Sequence, residues 1–390
     1  MCLFFVTYSL LAMDNPSAMK CLTPSIVKQF SVPEVYSMTY TPDGKKFLVS
    51  QYLNTTIRIT PYNVSDYTPQ TNEHGKVHTI DLPANAAVVA VTPDSKEVVI
   101  ASAENNTLTR VNLETRQEHS MCTQTVQAQS AQYSADGKSL LITIDGGVEV
   151  IHLHHPRENA AGIFEENKIY NVAWNPANHW QVGMVISDSS TNPAQWSLWD
   201  IRTKAPQNLV QVPIQATTNI QFNNDGTSLI AGAYGQVVVC DTAKAAALAY
   251  YSLNGKKSDK PYPVATTDTL LSPVVVPGAG TRMFFGDVAG KIIFLDVEDS
   301  ENSFEYAPLP DGYFWGPILA LSPDGKQMAA TNYLGGKDKS QMQILDVSGY
   351  IQDKKEQGVA KVQEATQSLT NPAPQAAQVK AAAAKRCPII

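Results

Sequence analysis

Thr41-Pro42-Asp43-Gly44-Lys45-Lys46-Phe47-Leu48-Val49-Ser50-Gln51-Tyr52 holds the pattern that decides the fold: a Pro-Asp-Gly turn, then an unbroken apolar run ending in small and polar residues. Four further copies begin at Thr92 (TPDSKEVVIASA), Ser134 (SADGKSLLITID), Asn223 (NNDGTSLIAGAY) and Ser322 (SPDGKQMAATNY). Counting from the turn aspartates Asp43, Asp94, Asp136, Asp225 and Asp324, the residue three earlier is Tyr40, Val91, Tyr133, Phe222 or Leu321. The residue five earlier is Met38, Val89, Ala131, Ile220 or Leu319. An apolar spacing of two is the β period, so a strand enters each turn. Beyond the turn, triplets such as Phe47-Leu48-Val49, Val98-Val99-Ile100 and Leu140-Leu141-Ile142 predict a second strand covered on both faces.

Two gaps in the series are each about twice the repeat. Degenerate copies fill them, around Val172, Trp174-Asn175-Pro176-Ala177 and around Val275-Val276-Pro277-Gly278 leading into Met283-Phe284-Phe285-Gly286-Asp287, which brings the count to seven. Val32 to Val347 then divides into about 45 residues per unit, the length of a four-stranded propeller blade. Helical solenoids of similar period need a 3.6-residue periodicity that is absent here. The expected fold is all-β: a seven-bladed β-propeller over residues 25–350, an N-terminal extension over 1–24 and a flexible C-terminal tail over 351–390. The last repeat supplies three strands, ending near Val347, and Ser25 to Phe30 alternates correctly to complete it and close the ring.

A third strand tends to end in a hydrophobe followed by Asp: Trp199-Asp200, Cys240-Asp241, Leu295-Asp296 and Leu345-Asp346. Here the chain resembles the WD40 repeat family. One true Trp-Asp is present and no Gly-His occurs, so the His-to-Asp network of strong WD40 blades is expected to be mostly missing. YVTN and lactonase-type propellers share the Pro-Asp-Gly turn and are the alternative resemblance. Both imply the same architecture.

Charged residues make up 17% and hydrophobic residues 43%, enough apolar material for a full core, and the net charge of −7 is a poor match to a nucleic-acid binder. Residues 351–390 hold six Lys/Arg against three Asp/Glu, which leaves −10 on residues 1–350. The five cysteines (Cys2, Cys21, Cys122, Cys240, Cys387) are scattered with no CxxC, which fits a reducing compartment. The apolar run Leu3 to Met13 is shorter than the roughly 20 residues a membrane helix needs, and it lacks the basic flank of a signal peptide.

No GxSxG, Walker loop, HExxH, EF-hand loop or catalytic-cysteine signature occurs, so no catalytic residue, metal or cofactor is expected. His152 and His154 fall on one strand face as metal ligands would, but without a visible third ligand they read as a strand end. The cluster Asp296, Glu298, Asp299 and Glu301 reads as a solvated loop. More pointed is the position nine beyond each turn aspartate, which holds Tyr52, Asp145, Tyr234 and Tyr333, with Ala103 in the second copy and Asp287 at the looser equivalent. With Phe314 and Trp315 before the last repeat, these form an aromatic and acidic face, and aromatic anchors of this kind are typical of protein recognition.

The chain closes on Cys387-Pro388-Ile389-Ile390, which looks like a CaaX prenylation signal, geranylgeranyl by its last residue, with Lys380, Lys385 and Arg386 as a basic second signal for an anionic membrane. The expected function is a non-catalytic scaffold or adaptor, monomeric, bound to one or more proteins on the propeller face. A prenyltransferase would modify its tail and a lipid anchor would hold it at the cytoplasmic face of a membrane. The owner would be a eukaryote, or an intracellular bacterium whose effector uses the host's prenyltransferase. The alternative is a hydrolytic, lactonase-like propeller with a site in its central channel.

Overall fold

In the turn after Tyr40, Gly44 takes a φ of 67°, where a side chain would be strained, and Gly137, Gly226 and Gly325 do the same in their copies. The second copy has Ser95 there at φ 62°. Its hydroxyl accepts the Asp43 N–H of the neighbouring turn at 2.9 Å, a bond glycine could not make.

The residue two before the aspartate locks each turn. Thr41 Oγ1 donates to Asp43 Oδ1 (2.6 Å) and accepts the Lys46 N–H (3.0 Å). Thr92 does the same with Asp94 and Glu97 (2.7 and 3.0 Å), Ser134 with Asp136 and Ser139 (2.7 and 3.0 Å), and Ser322 with Asp324 and Gln327 (2.6 and 2.9 Å). In the copy that begins at Asn223, Asn223 accepts the Ser228 N–H while Thr227 supplies the hydroxyl to Asp225. Hydrogen bonds to the ionised form favour it. The Thr92, Ser134 and Thr227 hydroxyls are the largest cause holding Asp94, Asp136 and Asp225 below the usual carboxylate range. For Asp43 and Asp324 burial pushes upward, but hydroxyl and backbone N–H donors outweigh it.

The computed structural model describes residues 24–350 except 33, 54, 73, 84–85, 103–106, 123–127, 129, 145–146, 154–160, 165–167, 188–194, 204, 212–218, 234–235, 245, 253–256, 259–273, 278–280, 287–290, 298–303, 307–313 and 335–339. Asp145, Tyr234, Asp287, the tail with Lys380, Lys385 and Arg386, and the Cys387, Pro388, Ile389, Ile390 signal therefore lie outside the described residues. The chain divides into two units, Met1–Val347 and Ser348–Ile390. In the second, residues Ser348–Tyr350 form a 3-10 turn. Among the described residues no helix is long and apolar enough to cross a membrane.

Among the described residues the first unit is all-β and its strands form seven antiparallel sheets. An N-terminal strand, β1 (Ser25–Val32), precedes the first sheet, which contains β2 (Val35–Tyr40), β3 (Lys46–Leu53), β4 (Thr56–Asn63), β5 (Thr68–Pro69) and β6 (Ile80–Pro83). The second contains β7 (Ala86–Val91), β8 (Glu97–Ser102), β9 (Thr107–Asn112) and β10 (Glu118–Cys122), and the third β11 (Ser130–Tyr133), β12 (Ser139–Ile144), β13 (Gly147–His152) and β14 (Ala161–Phe164). The fourth contains β15 (Lys168–Trp174), β16 (Gln181–Ser187), β17 (Gln195–Asp200) and β18 (Ala205–Gln211). The fifth contains β19 (Asn219–Phe222), β20 (Ser228–Ala233), β21 (Gln236–Asp241), β22 (Ala246–Ser252) and β23 (Lys257–Ser258). The sixth contains β24 (Val274–Val275), β25 (Arg282–Gly286), β26 (Ile292–Asp296) and β27 (Phe304–Tyr306). The seventh contains β28 (Phe314–Leu321), β29 (Gln327–Leu334) and β30 (Ser340–Asp346), with β1 paired antiparallel to β30 from Ser25↔Asp346 to Val32↔Ser340.

Cores form between successive sheets, and the apolar triplets explain how. Leu48 enters the core shared with Val98, Ile100 and Val111 of the second sheet, while Phe47 and Val49 enter the one shared with Ala320, Ala329, Met342 and Ile344 of the seventh. Leu141 likewise faces the fourth sheet, and Leu140 and Ile142 the second. The unpaired edge of a first strand is bridged by glutamine from the preceding sheet: Gln132 Oε1 accepts the Trp174 N–H (2.8 Å) and Gln221 Oε1 the Val275 N–H (3.1 Å).

The seventh sheet lies against the first through β28 and β2. Polar groups join the two as well: the hydroxyls of Tyr40 and Tyr67 are 2.9 Å apart, and Tyr67 Oη donates to Gln327 Oε1 at 2.5 Å.

Candidate functional site

The Pro-Asp-Gly turns of neighbouring sheets meet at one end of the strands. A side chain at Gly44 would touch Pro323, and one at Gly137 would meet Pro93 at 3.0 Å. Residues nine beyond each turn aspartate consequently lie at the opposite end. There the Tyr52 N–H donates to the Glu34 carbonyl (2.9 Å), and the Tyr52 side chain is 38% exposed. On the adjoining seventh sheet Tyr333 lies near the end of β29, and Phe314, which opens β28, is registered against Leu334, with Trp315 beside it in an irregular stretch before Pro317. The backbone thus brings Tyr52, Phe314, Trp315 and Tyr333 to one end of two neighbouring sheets.

Tyr36 is the addition that sequence reasoning missed. It shares the odd spacing of Met38 and Tyr40, which are buried, so simple alternation turns it inward. A register shift between Val35 and Ser37 in the β2–β3 pairing reverses the phase: Val35 is fully buried, and Tyr36 is 51% exposed, two residues from Glu34. Such bulges re-aim side chains and leave no mark in an alternation pattern. Tyr36 and Tyr52 are both exposed, whereas Tyr40, Phe47, Trp174, Phe222, Phe284 and Phe285 on the first and second strands are buried.

Cations replace the missing histidines at the aspartates that end third strands. Asp200 is 5% exposed and bound by the Arg202 guanidinium, Nη2 to Oδ2 at 2.5 Å, which holds its carboxyl down to about 2. Arg202 also lies over the Trp180 ring, 5.3 Å from its centroid. Asp296 is not part of a solvated loop: it is 6% exposed and accepts from Arg282 Nε at 3.1 Å. Lys244 pairs with Asp241 at 3.2 Å. These ion pairs lie at the ends of third strands in three different sheets.

At the turn end, a cleft of about 530 Å³ separates the third and fourth sheets, lined by Asp136, Lys138, Ser139, His152, His179 and Trp180. His152 closes β13, with Nδ1 2.9 Å from Ser139 Oγ. Among the described residues no group of three or more His, Cys, Asp or Glu side chains is placed to hold a metal ion.

No family model matches the chain. It is similar to a WD repeat-containing protein of Synechocystis sp., 26% identical over 221 residues that cover 54% of this chain and 58% of that protein, so the match spans little more than half of the relative's length. Among solved structures it is similar to a chain of Kuenenia stuttgartiensis hydrazine synthase, with a TM-score of 0.63 at 15% identity over 81% of this chain and 96% of that one. At that identity the likeness is one of fold alone. The similarity to a WD repeat-containing protein supports a propeller-type repeat in this chain.

Proposed function

We propose that the seven sheets are the blades of a WD40-type propeller closed by β1, and that it serves as a non-catalytic scaffold whose docking face is the end bearing Tyr36 and Tyr52. The observation that carries this reading is the exposure of those two tyrosines beside Glu34. Aromatic side chains that are large, rigid and amphipathic supply interface energy at low entropic cost. The register of Phe314, Trp315 and Tyr333 on the next sheet extends the same face. A partner offering apolar and basic side chains suits it, since the first 350 residues carry −10.

The test is a photo-crosslinking residue at position 36 or 52 of the full chain, followed by mass spectrometry of captured proteins. A partner crosslinked from both positions, and lost in a Tyr36→Ala, Tyr52→Ala double variant with unchanged melting temperature, is the expected result. Full capture by that variant would move the site elsewhere. For a chain ending at Ile390, Cys387 is the proposed attachment point of a prenyl anchor on sequence grounds, and intact mass of the C-terminal peptide from eukaryotic cytosol tests it.

A further inference from the structure

At the turn end, away from Tyr36 and Tyr52, a second cleft of about 410 Å³ lies between the second and third sheets, lined by Thr92, Pro93, Asp94, Glu97, Arg110, Tyr133, Asp136, Gly137 and Leu153. Two of its polar atoms, Tyr133 Oη and Arg110 Nε, are fully buried without a hydrogen-bond partner among the described residues. Buried donors left unmade are costly and rare, so two in one cleft ask for an acceptor oxygen. The same cleft is acidic. Asp94 and Asp136 each use Oδ1 for their turn hydroxyl and a backbone N–H, leaving Oδ2 with no described donor. Glu97 reaches Arg110 Nη1 at 3.4 Å. Among the lining side chains three carboxylates stand against one guanidinium, and although Lys96 and Lys138 act on Asp94 and Asp136 from beside the cleft, the lining itself favours a cation over an anion as occupant. Pro93 and Leu153 add apolar wall.

We propose that this cleft binds an α-amino carbonyl group: an ammonium held by Asp94, Asp136 and Glu97, with the adjacent carbonyl oxygen accepting from Tyr133 Oη and Arg110 Nε. A free polypeptide N-terminus and a small amino-acid amide share that chemistry. A free amino acid is disfavoured, because its carboxylate would sit among three others. The site is independent of the docking face above and stands or falls separately.

The experiment titrates the full chain with trialaninamide, alaninamide and N-acetyl-trialaninamide, read by calorimetry. Both free amines, or the tripeptide alone, should bind saturably, the second pattern assigning the site to polypeptide ends. Acetylation should weaken binding by about tenfold or more through loss of the charged donor. Tyr133→Phe should weaken it by a similar factor while the melting temperature of the ligand-free protein holds or rises, because an unpartnered buried hydroxyl is removed. Asp136→Asn, which keeps the acceptor for Ser134, should also weaken binding, and it decides the matter if Tyr133→Phe does not fold. Absence of saturable binding, equal binding of the acetylated peptide, or unchanged affinity in the folded variants would each overturn the proposal and leave the cleft to water.

Discussion

Thr92→Val tests whether the hydroxyl column in front of the turn aspartates is structural. Valine keeps the shape of threonine and removes only the oxygen, at a residue 5% exposed. Thr92 Oγ1 donates to Asp94 Oδ1 (2.7 Å), approaches the Glu97 carbonyl (3.0 Å) and accepts the Glu97 N–H (3.0 Å). The three losses are unequal. The Glu97 carbonyl keeps the Thr92 N–H at 2.9 Å, and the exposed Asp94 carboxylate regains water. The Glu97 N–H is stranded outright, and this, with the lost preference for the ionised Asp94, sets the cost at about 1–2 kcal/mol near neutral pH. The pH dependence gives a second handle. Asp94 has a folded pKa held below its unfolded value, chiefly by Thr92, so its contribution is present above the unfolded pKa and fades as pH falls through the folded one. The gap between wild type and variant should therefore narrow between about pH 7 and about pH 3. Urea unfolding across that range, followed by tryptophan fluorescence, measures it. A variant as stable as wild type at neutral pH, or a gap that widens on acidification, would refute the lock.

Deleting residues 24–32 removes β1, and with it the burial of Val32 and the packing of Phe30; the melting temperature should fall by about 10 °C or more, and no change would refute closure. Leu140→Ala and Leu141→Ala should each cost about 3 kcal/mol and add within about 0.5 kcal/mol, since these neighbours enter different cores; a neutral result at either would mean the strand is covered on one face only. Tyr67→Phe should cost about 1–2 kcal/mol by cutting the link from Tyr40 to Gln327. Burial is the first cause that raises the Tyr40 and Tyr67 hydroxyls above their ordinary value, so the stability they confer is complete below about pH 10 and declines as pH rises beyond it. Tyr67→Phe should flatten that alkaline decline in thermal melts, and an unaltered profile would show that Tyr67 does not drive it.

Local periodicity by itself determined the strands, the turns and the two-faced second strand, because alternation and Pro-Asp-Gly chemistry act between residues a few positions apart. It also determined that Ser25 to Phe30 should pair with the last repeat, since a three-strand remainder and an unpaired alternating segment complement each other; the structure extends that strand to Val32. The aromatic positions Tyr52 and Tyr333 were legible as a column, but their shared end emerges only where the turns of the first and seventh sheets touch. Tyr36 was decided by the bulge at Val35–Ser37, one irregular residue that inverts inside and outside without altering the spacing. The column of Thr41, Thr92, Ser134 and Ser322 was visible, yet its role depends on a hydroxyl reaching a carboxylate in three dimensions. Arg282 beside Asp296, and Tyr67 bound to Gln327 across 260 positions, belong to tertiary structure alone, because ion pairs and hydrogen bonds follow distance in space, which alternation along the chain does not encode.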